Sequence, residues 1–392
     1  MDGAIAVLNA GSSSLKFALF EAGPESRPLF RGLLEQIGVA PHLCVKGAGG
    51  QVLAEEHWPA EGFDHRAATR EVLRTAIELA EGRPIAAVGH RVVMGGERYS
   101  APVLIDREVL DTLARLAPLV PLHQPHNLAP IETILEAAPR VPQVACFDTA
   151  FHRGQPPIAQ LFGLPRRFTE AGVRRYGFHG LSYEYVSGRL AELAPDLAAG
   201  RVIVAHLGNG ASLCAILAGR SMATTMGFSS LDGLIMGTRC GALDPGVLLH
   251  LMSVYGFGHE ELEDLLYRRS GLLGVSGVSS DMRALRGSED PAAAEAIALF
   301  VYRVVREIGS LAAALGGVDG FVFTGGIGEN DAAARADIAA GCEWLGLDLD
   351  ARANAKGAGR ISAPGSRVQA WVIPTDEEQM AARHTQAVLE PA

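Results

Sequence analysis

The chain has 392 residues, 48% of them hydrophobic and 20% charged, with a formal net charge of −10. That composition suits a globular protein with substantial cores, and the length is more than one ordinary core holds, so two domains are expected. The acidic balance repels polyphosphate backbones at long range and argues against nucleic acid as a partner. Cys44, Cys146, Cys214, Cys240 and Cys342 are scattered and odd in number, with no C-x-x-C pair. This argues against a disulfide framework or a zinc site and fits a reducing, cytoplasmic setting. Asp2 stands where a leader peptide would carry a basic residue, and no run approaches about 18 apolar residues, so no membrane span is expected.

Residues 7–20 read VLNAGSSSLKFALF, two β-prone runs around a small polar turn. The plain reading is a β-hairpin. The sharper one is a phosphate cradle, in which backbone N–H groups, hydroxyls and the Lys16 ammonium converge on an anion. Further β-rich runs follow at Val88 to Val93, Val144 to Phe147, Val202 to Ala205, Phe321 to Thr324 and Trp371 to Ile373, most of them ending in polar residues. Apolar residues at Ile297, Phe300, Val301, Val304, Ile308, Leu311 and Leu315 have helical spacing, and Gly316-Gly317 stops the pattern. Strands alternating with helices predict an α/β protein.

The opening motif has an echo. At an offset of 198 residues, which carries Ser14 onto Ser212, SSSLKFAL overlies GASLCAIL, again between a β-rich run and a second one. Two such hairpins, each opening one half of the chain, predict duplicated domains. A third glycine-rich stretch, DGFVFTGGIGEN (319–330), predicts a strand, a glycine turn and a helix from about Asp331. No G-x-x-x-x-G-K-[ST] occurs, so the chain is not a P-loop protein.

Polar residues lie at the ends of β-rich runs or in turns: Arg91, Asp148, Arg239 and His179, with His123 and His126 in PLHQPHN. Singly, each has a plain explanation as a surface ion pair or a structural histidine. The two Pro-flanked histidines lack a third metal-ligand partner. Together, LNAGSSSLK, GHRVVMGGE, FDTAFH, RRYGFHG, HLGNGAS, MGTRCGALDPG, SSDMR, FTGGIGEN and PTDEE occur in an order that closely resembles the acetate and propionate kinase family.

That resemblance implies a duplicated, ribonuclease-H-like two-domain α/β fold, shared with actin, Hsp70-type chaperones and sugar kinases, with an ATP cleft between the domains. It places the N-terminal domain at 1–149 with a returning tail from about 375 to 392, and a nucleotide-binding and dimerisation domain at 150–374. It implies transfer of the ATP γ-phosphoryl group to acetate, giving acetyl phosphate and ADP, with propionate or butyrate as the alternative acceptor. It also implies Mg²⁺ (or Mn²⁺), a cytoplasmic setting and a homodimer.

Carried onto this sequence, Asn9 and Glu377 would hold the metal, and Ser12, Ser14 and Lys16 would meet phosphate. His206, Leu207, Gly208, Asn209 and Gly210 would line the polyphosphate. Asp281, Met282 and Arg283, with Gly326, Ile327, Gly328, Glu329 and Asn330, would cradle the nucleoside. Arg91, Asp148, His179 and Arg239 would be catalytic. Arg91, Val93, Leu122, His123, Phe178 and Ser230 would contact the acid. A carboxylate is already ionised at neutral pH, so Asp148 reads as an orienter of the arginine or of metal-bound water. Two arginines suit an anionic acceptor better than a sugar hydroxyl. A non-enzymatic nucleotide switch would not need them. The chain departs from the usual family pattern at Met94, Tyr183, Ser230, Cys240 and Ala242, and Ser230 stands where a proline is usual in the acyl pocket.

Overall fold

The structure is a computed structural model that describes residues 3–23 and 26–390. Asp2, read above against a leader peptide, lies outside them. The chain divides into two compact units, residues 1–153 with 376–392, and residues 154–375.

The first unit is built on an eight-stranded sheet. Its strands are β1 (Ala4–Ala10), β2 (Leu15–Glu21), β3 (Pro28–Glu35), β4 (His42–Gly47), β5 (Val52–His57), β6 (Ile85–Val92), β7 (Val103–Leu104) and β8 (Gln143–Phe147), in the order β5-β4-β3-β2-β1-β6-β8-β7. β1 and β2 form the expected hairpin, pairing Ala10 with Leu15 around a four-residue turn. β6 and β8 run parallel to β1 and to each other.

Alternation along the strands explains the layers. Ala4, Ala6, Leu8, Leu15, Phe17 and Leu19 face one core with Ala68, Val72 and Ala76 of the helix His65–Leu79. The C-terminal helix Glu377–Leu389 packs against β6 at close range. A Cβ added to Gly89 would lie 2.3 Å from Thr385 Oγ1, so glycine is what permits that approach.

The second unit holds a six-stranded sheet of β9 (Arg201–Leu207), β10 (Ala211–Leu217), β11 (Arg220–Thr224), β12 (Gly320–Thr324), β13 (Gly359–Arg360) and β14 (Gln369–Val372). Its order is β11-β10-β9-β12-β14-β13. The echo in the sequence thus has a structural counterpart. In each unit two antiparallel hairpin steps (β3-β2-β1, β11-β10-β9) continue into two parallel steps (β1-β6-β8, β9-β12-β14).

Two boundaries differ from expectation. The helix read from Ile297 spans Pro291–Leu315, because Asp290 caps it by accepting from Ala292 N–H and Pro291 suits a first turn. It stops at Gly316 (φ 68°), as read. In 319–330 the expected glycine turn is itself a short helix, Gly325–Asn330, while the helix expected from about Asp331 forms as Ala332–Ala340 with Asp331 as its cap. The short helix forms there because Glu329 Oε1 reaches back to Gly325 N–H at 2.8 Å.

Among the described residues no helix is long and apolar enough to cross a membrane.

Candidate active site

In the first unit the polar residues collect at the C-terminal ends of the parallel strands, where open α/β sheets bind ligands. Asn9 is the penultimate residue of β1, Arg91 that of β6, Asp148 directly follows β8, and Glu377 opens the C-terminal helix. They meet at one guanidinium. Arg91 Nε and Nη2 donate to Asp148 Oδ1 (3.0 Å) and Oδ2 (2.5 Å), and Nη1 donates to Asn9 Oδ1 (3.0 Å). Glu377 Oε2 lies 3.3 Å from Nε.

Asp148 is 1% exposed. Burial opposes the charge on Arg91, but the Asp148 and Glu377 carboxylates more than offset it and raise the arginine pKa above its ordinary value. Arg91 is therefore not the isolated arginine of the sequence pattern. It is held by the buried carboxylate of Asp148.

The β1–β2 turn is pinned from outside. Gly11 N–H donates to Ser14 O (2.8 Å), His65 Nε2 lies 2.9 Å from Gly11 O, and Asn127 Nδ2 donates to Ala10 O (2.7 Å). Asn127 Oδ1 also accepts from Val93 N–H at 2.9 Å, so one side chain ties the ends of β1 and β6 together. Ser12 is exposed and Ser14 half-buried. Lys16 pairs directly with Asn9 across the hairpin, so the two side chains share a face. Val93 is buried, and Leu122 and His123 precede the helix Gln124–Ala137. His126 stacks near His65, with ring centroids 4.5 Å apart. Met94 fills a fully buried position, and its backbone is held by Gln124.

In the second unit three glycine-rich segments converge. The turn Gly208–Gly210 joins β9 to β10. Gly237 N–H donates to Asn209 O at 3.0 Å, and a Cβ on Gly237 would sit 1.9 Å from Asn209 Oδ1, so the Asn209 side chain keeps its present position only because residue 237 has no side chain. Gly325 (φ 78°) follows β12 and lies against the Leu207 backbone.

Gly208 and Asn209, together with Asp281, Met282, Arg283, Gly326, Ile327 and Asn330, line a cavity of about 840 Å³. Ser280, Arg286, Asp331 and Ala332 also line it. Arg286 was not singled out from the sequence, although it lies one helical turn after Arg283; its Nε donates to Asp331 Oδ2 at 2.6 Å. Asp281 is held down to about 2 by its hydrogen bonds from the Arg283 side chain and backbone. The Glu329 and Asn330 side chains hold the loop itself. Glu329 Oε1 accepts from Gly325 N–H and Thr375 N–H, and Asn330 Nδ2 donates to Gly326 O. Gly328 is buried behind the loop, its carbonyl bonded by Arg335.

His179 precedes the helix Gly180–Leu193 with φ 59° and ψ 24°, a left-handed conformation that costs a non-glycine residue roughly 1–2 kcal/mol. Its ring stacks on His206 at 4.3 Å and 23°, and its Nδ1 is 2.9 Å from Ser212 Oγ. A Cβ placed on Gly210 would meet His179 Nε2 at 3.3 Å and Arg239 Nη1 at 4.0 Å. One imidazole nitrogen and one guanidinium therefore converge on the Gly208–Gly210 turn. Arg239 Nη1 also donates to Ser230 O (3.2 Å) and lies 3.6 Å from Met236 Sδ. Phe178 and Ser230 are buried. Cys240 is half-buried, and burial raises its thiol pKa.

A family model described as the acetokinase family matches residues 4–383. The chain belongs to the acetokinase family. It is 54% identical over 390 residues to an acetate kinase of Rhodopseudomonas palustris, covering 98% of each chain. It is 44% identical over 397 residues to one of Clostridium botulinum, covering 98% of this chain and 99% of that one. Two solved structures superpose on it over nearly their whole length. An acetate kinase of Porphyromonas gingivalis has TM-score 0.88, 38% identity and coverage of 99% and 100%. A propionate kinase of Francisella tularensis has TM-score 0.91, 36% identity and coverage of 98% and 100%. An acetokinase-family chain is a phosphotransferase, which excludes the nucleotide-switch reading.

Among the described residues, one other constellation has metal-ligand composition. His42, Glu55 and His57 place ligand atoms within 4.8 Å of one another on the β4–β5 face. The two rings are stacked at 4.4 Å and 16°, so their lone pairs lie in nearly parallel planes and do not aim at a common point.

Proposed function

We propose that the chain transfers the γ-phosphoryl group of ATP to acetate, reversibly, giving acetyl phosphate and ADP. The observation that carries the reading is the convergence of His179 Nε2 and Arg239 Nη1 on the Gly208–Gly210 turn, whose Gly208 and Asn209 also line the 840 Å³ cavity. A glycine turn beside a nucleotide-sized cavity suits a polyphosphate, and two nitrogen donors beside it suit a transferring phosphoryl group. Such a reaction asks the protein for positioning and for charge around the equatorial oxygens rather than for covalent help.

Arg91 and Arg239 serve as the cations for the carboxylate and the phosphoryl group, with His179 as hydrogen-bond donor. Asp148 keeps Arg91 in orientation. Ser12, Ser14 and Lys16 meet phosphate.

The oxygen donors of Asn9, Asp148 and Glu377, gathered at Arg91, fit a hard divalent cation that keeps several of its waters. Asn9 and Glu377 would hold Mg²⁺, or Mn²⁺, which when bound neutralises charge on the ATP phosphates. Val93, Leu122, His123, Phe178 and Ser230 are the residues proposed to contact the acid. Propionate is the second reading, favoured by one observation: Ser230 replaces the ring of a usual proline.

The chain works in the cytoplasm as a homodimer. Support for self-association comes from the helix Pro245–Tyr255, which buries none of its residues although Leu249, Met252, Val254 and Tyr255 are apolar and exposed by half or more.

The test is a hydroxylamine trap of acyl phosphate with formate, acetate, propionate and butyrate, compared by kcat/KM. Acetate should lead, with propionate within roughly 10- to 200-fold, as one methylene allows. A series led by butyrate, or no acyl hydroxamate from any acid, would reject the assignment.

A further inference from the structure

We propose that Tyr183 and Ser212 form a hydrogen-bond relay that holds His179 in the tautomer with its proton on Nε2, which makes Tyr183 a positioning residue for phosphoryl transfer. The proposal rests on the carboxylate-kinase reading above.

Three groups stand in series. Tyr183 Oη lies 2.5 Å from Ser212 Oγ, and Ser212 Oγ lies 2.9 Å from His179 Nδ1. Tyr183 and Ser212 are both 0% exposed, so bulk water does not compete for these contacts. His179 Nε2, at the other end of the ring, faces the Gly208–Gly210 turn on which Arg239 also converges. The relay therefore begins in the core and ends at the proposed phosphoryl site.

Two proton arrangements keep the Ser212 proton in the series; a third, in which Ser212 Oγ accepts from both Tyr183 and His179, leaves that buried proton with no hydrogen-bond acceptor among the described residues. In one, the Tyr183 hydroxyl donates to Ser212, the Ser212 hydroxyl donates to His179 Nδ1, and Nε2 carries the ring proton. In the other, every donor is reversed and Nε2 presents a lone pair. A phenol donates more readily and accepts less readily than an aliphatic hydroxyl, which favours the first. Burial acts the same way, raising the Tyr183 pKa well above its ordinary value and keeping the hydroxyl protonated. The first arrangement gives an N–H that can donate to a phosphoryl oxygen, whereas the second would set a lone pair against it.

The stacked His206, its Nδ1 held 2.8 Å from Ser182 Oγ, limits rotation of the His179 ring. Ser182 and Tyr183 are consecutive in the first turn of the helix Gly180–Leu193. One turn thus sets both histidines. A histidine in place of Tyr183 could also donate an N–H to Ser212 Oγ.

The test combines kinetics with ¹⁵N NMR of histidine-labelled protein. In Tyr183→Phe, kcat for acyl phosphate formation should fall roughly tenfold, with KM for ATP and for acetate changed less than about twofold, because the lost interaction acts on the transition state. The His179 Nε2 resonance should shift from protonated toward unprotonated character. Tyr183→His should retain kcat within about threefold.

Ser212→Ala should lose at least as much as Tyr183→Phe. The double variant should be no worse than Ser212→Ala alone, since groups in series do not add. Unchanged kcat and tautomer in Tyr183→Phe would overturn the relay, as would equal losses in the Phe and His variants or additive losses in the double variant. If Tyr183→Phe does not fold, the Ser212→Ala tautomer decides. A wild-type protein that forms no acyl phosphate would instead defeat the parent reading.

Discussion

Arg91 and Asp148 meet in a two-pronged ion pair, Nε to Oδ1 at 3.0 Å and Nη2 to Oδ2 at 2.5 Å, across the adjacent parallel strands β6 and β8. With Asp148 only 1% exposed, removing the guanidinium leaves a buried charge without its main partner. Arg91→Ala should therefore do more than abolish turnover. It should destabilise the protein by about 3–5 kcal/mol, the usual cost of breaking a buried pair from one side. Arg91→Ala with Asp148→Asn should recover much of that stability and none of the activity. Chemical denaturation of the single and double variants checks this, and equal stability of the two would contradict it.

Gly237→Ala should impair nucleotide binding without touching a charged residue. The new methyl would fall 1.9 Å from Asn209 Oδ1 and displace the Asn209 side chain, which lies in the Gly208–Gly210 turn that lines the cavity. We expect KM for ATP to rise roughly tenfold or more, as a displaced positioning element commonly costs. Normal ATP affinity in a folded Gly237→Ala protein would show that the turn tolerates the shift.

The extent of the site that could be read from the sequence follows from the range of the contacts. The β1–β2 hairpin is local, and its alternating apolar runs around Gly11–Ser14 make it visible. The Arg91–Asp148 pair is not visible, because parallel strands bring together residues 57 positions apart and no local pattern marks which strands become neighbours. The same holds for Ser212, which the echo noticed only as a repeat, whereas its partners Tyr183 and His179 lie about thirty residues earlier. The glycine stretch 325–330 misled for another reason. Glycines read as a loop, but a backward bond from Glu329 closes them into a helical turn. Asp290-Pro291 was a readable helix start that apolar periodicity alone passed over.

His90 should make the protein acid-sensitive. It is 1% exposed, and burial lowers its pKa to about 4, against a weaker opposing effect of its 2.7 Å bond to Gln143 Oε1. Gln143 Nε2 donates to Ile131 O, so its oxygen faces the ring and His90 Nε2 donates. The folded state keeps His90 neutral while the unfolded chain takes up a proton near pH 6.5. The stabilisation is thus complete above pH 6.5 and is lost as pH falls toward 4. Between pH 8 and pH 5 this group should cost on the order of 2 kcal/mol of stability. Denaturation midpoints at the two pH values, for the wild type and His90→Gln, measure it. An equal acid loss in both proteins would assign the sensitivity to other groups.

Ser230 should set part of the acyl preference. Its hydroxyl is buried and makes no hydrogen bond among the described residues, while its carbonyl accepts from Arg239. Ser230→Pro restores an apolar ring and should lower the propionate-to-acetate ratio of kcat/KM by about fivefold, within the range one methylene supplies. Ser230→Ala should leave stability unchanged or raise it by about 1 kcal/mol, since an unbonded buried hydroxyl is a cost. A constant ratio in an active Ser230→Pro enzyme would remove Ser230 from the acyl site.

The central claim is that a γ-phosphoryl group passes from ATP to a carboxylate under Arg239 and His179. ³¹P NMR of the purified chain with Mg²⁺, ATP and acetate observes this directly. The wild type should show acetyl phosphate and ADP growing together, and ATP forming when acetyl phosphate and ADP are supplied instead. Arg239→Ala should slow both directions by about 10²–10³-fold, as loss of one transition-state donor does. Growth of inorganic phosphate with ADP and no acetyl phosphate, or an Arg239→Ala protein as fast as the wild type, would contradict the account.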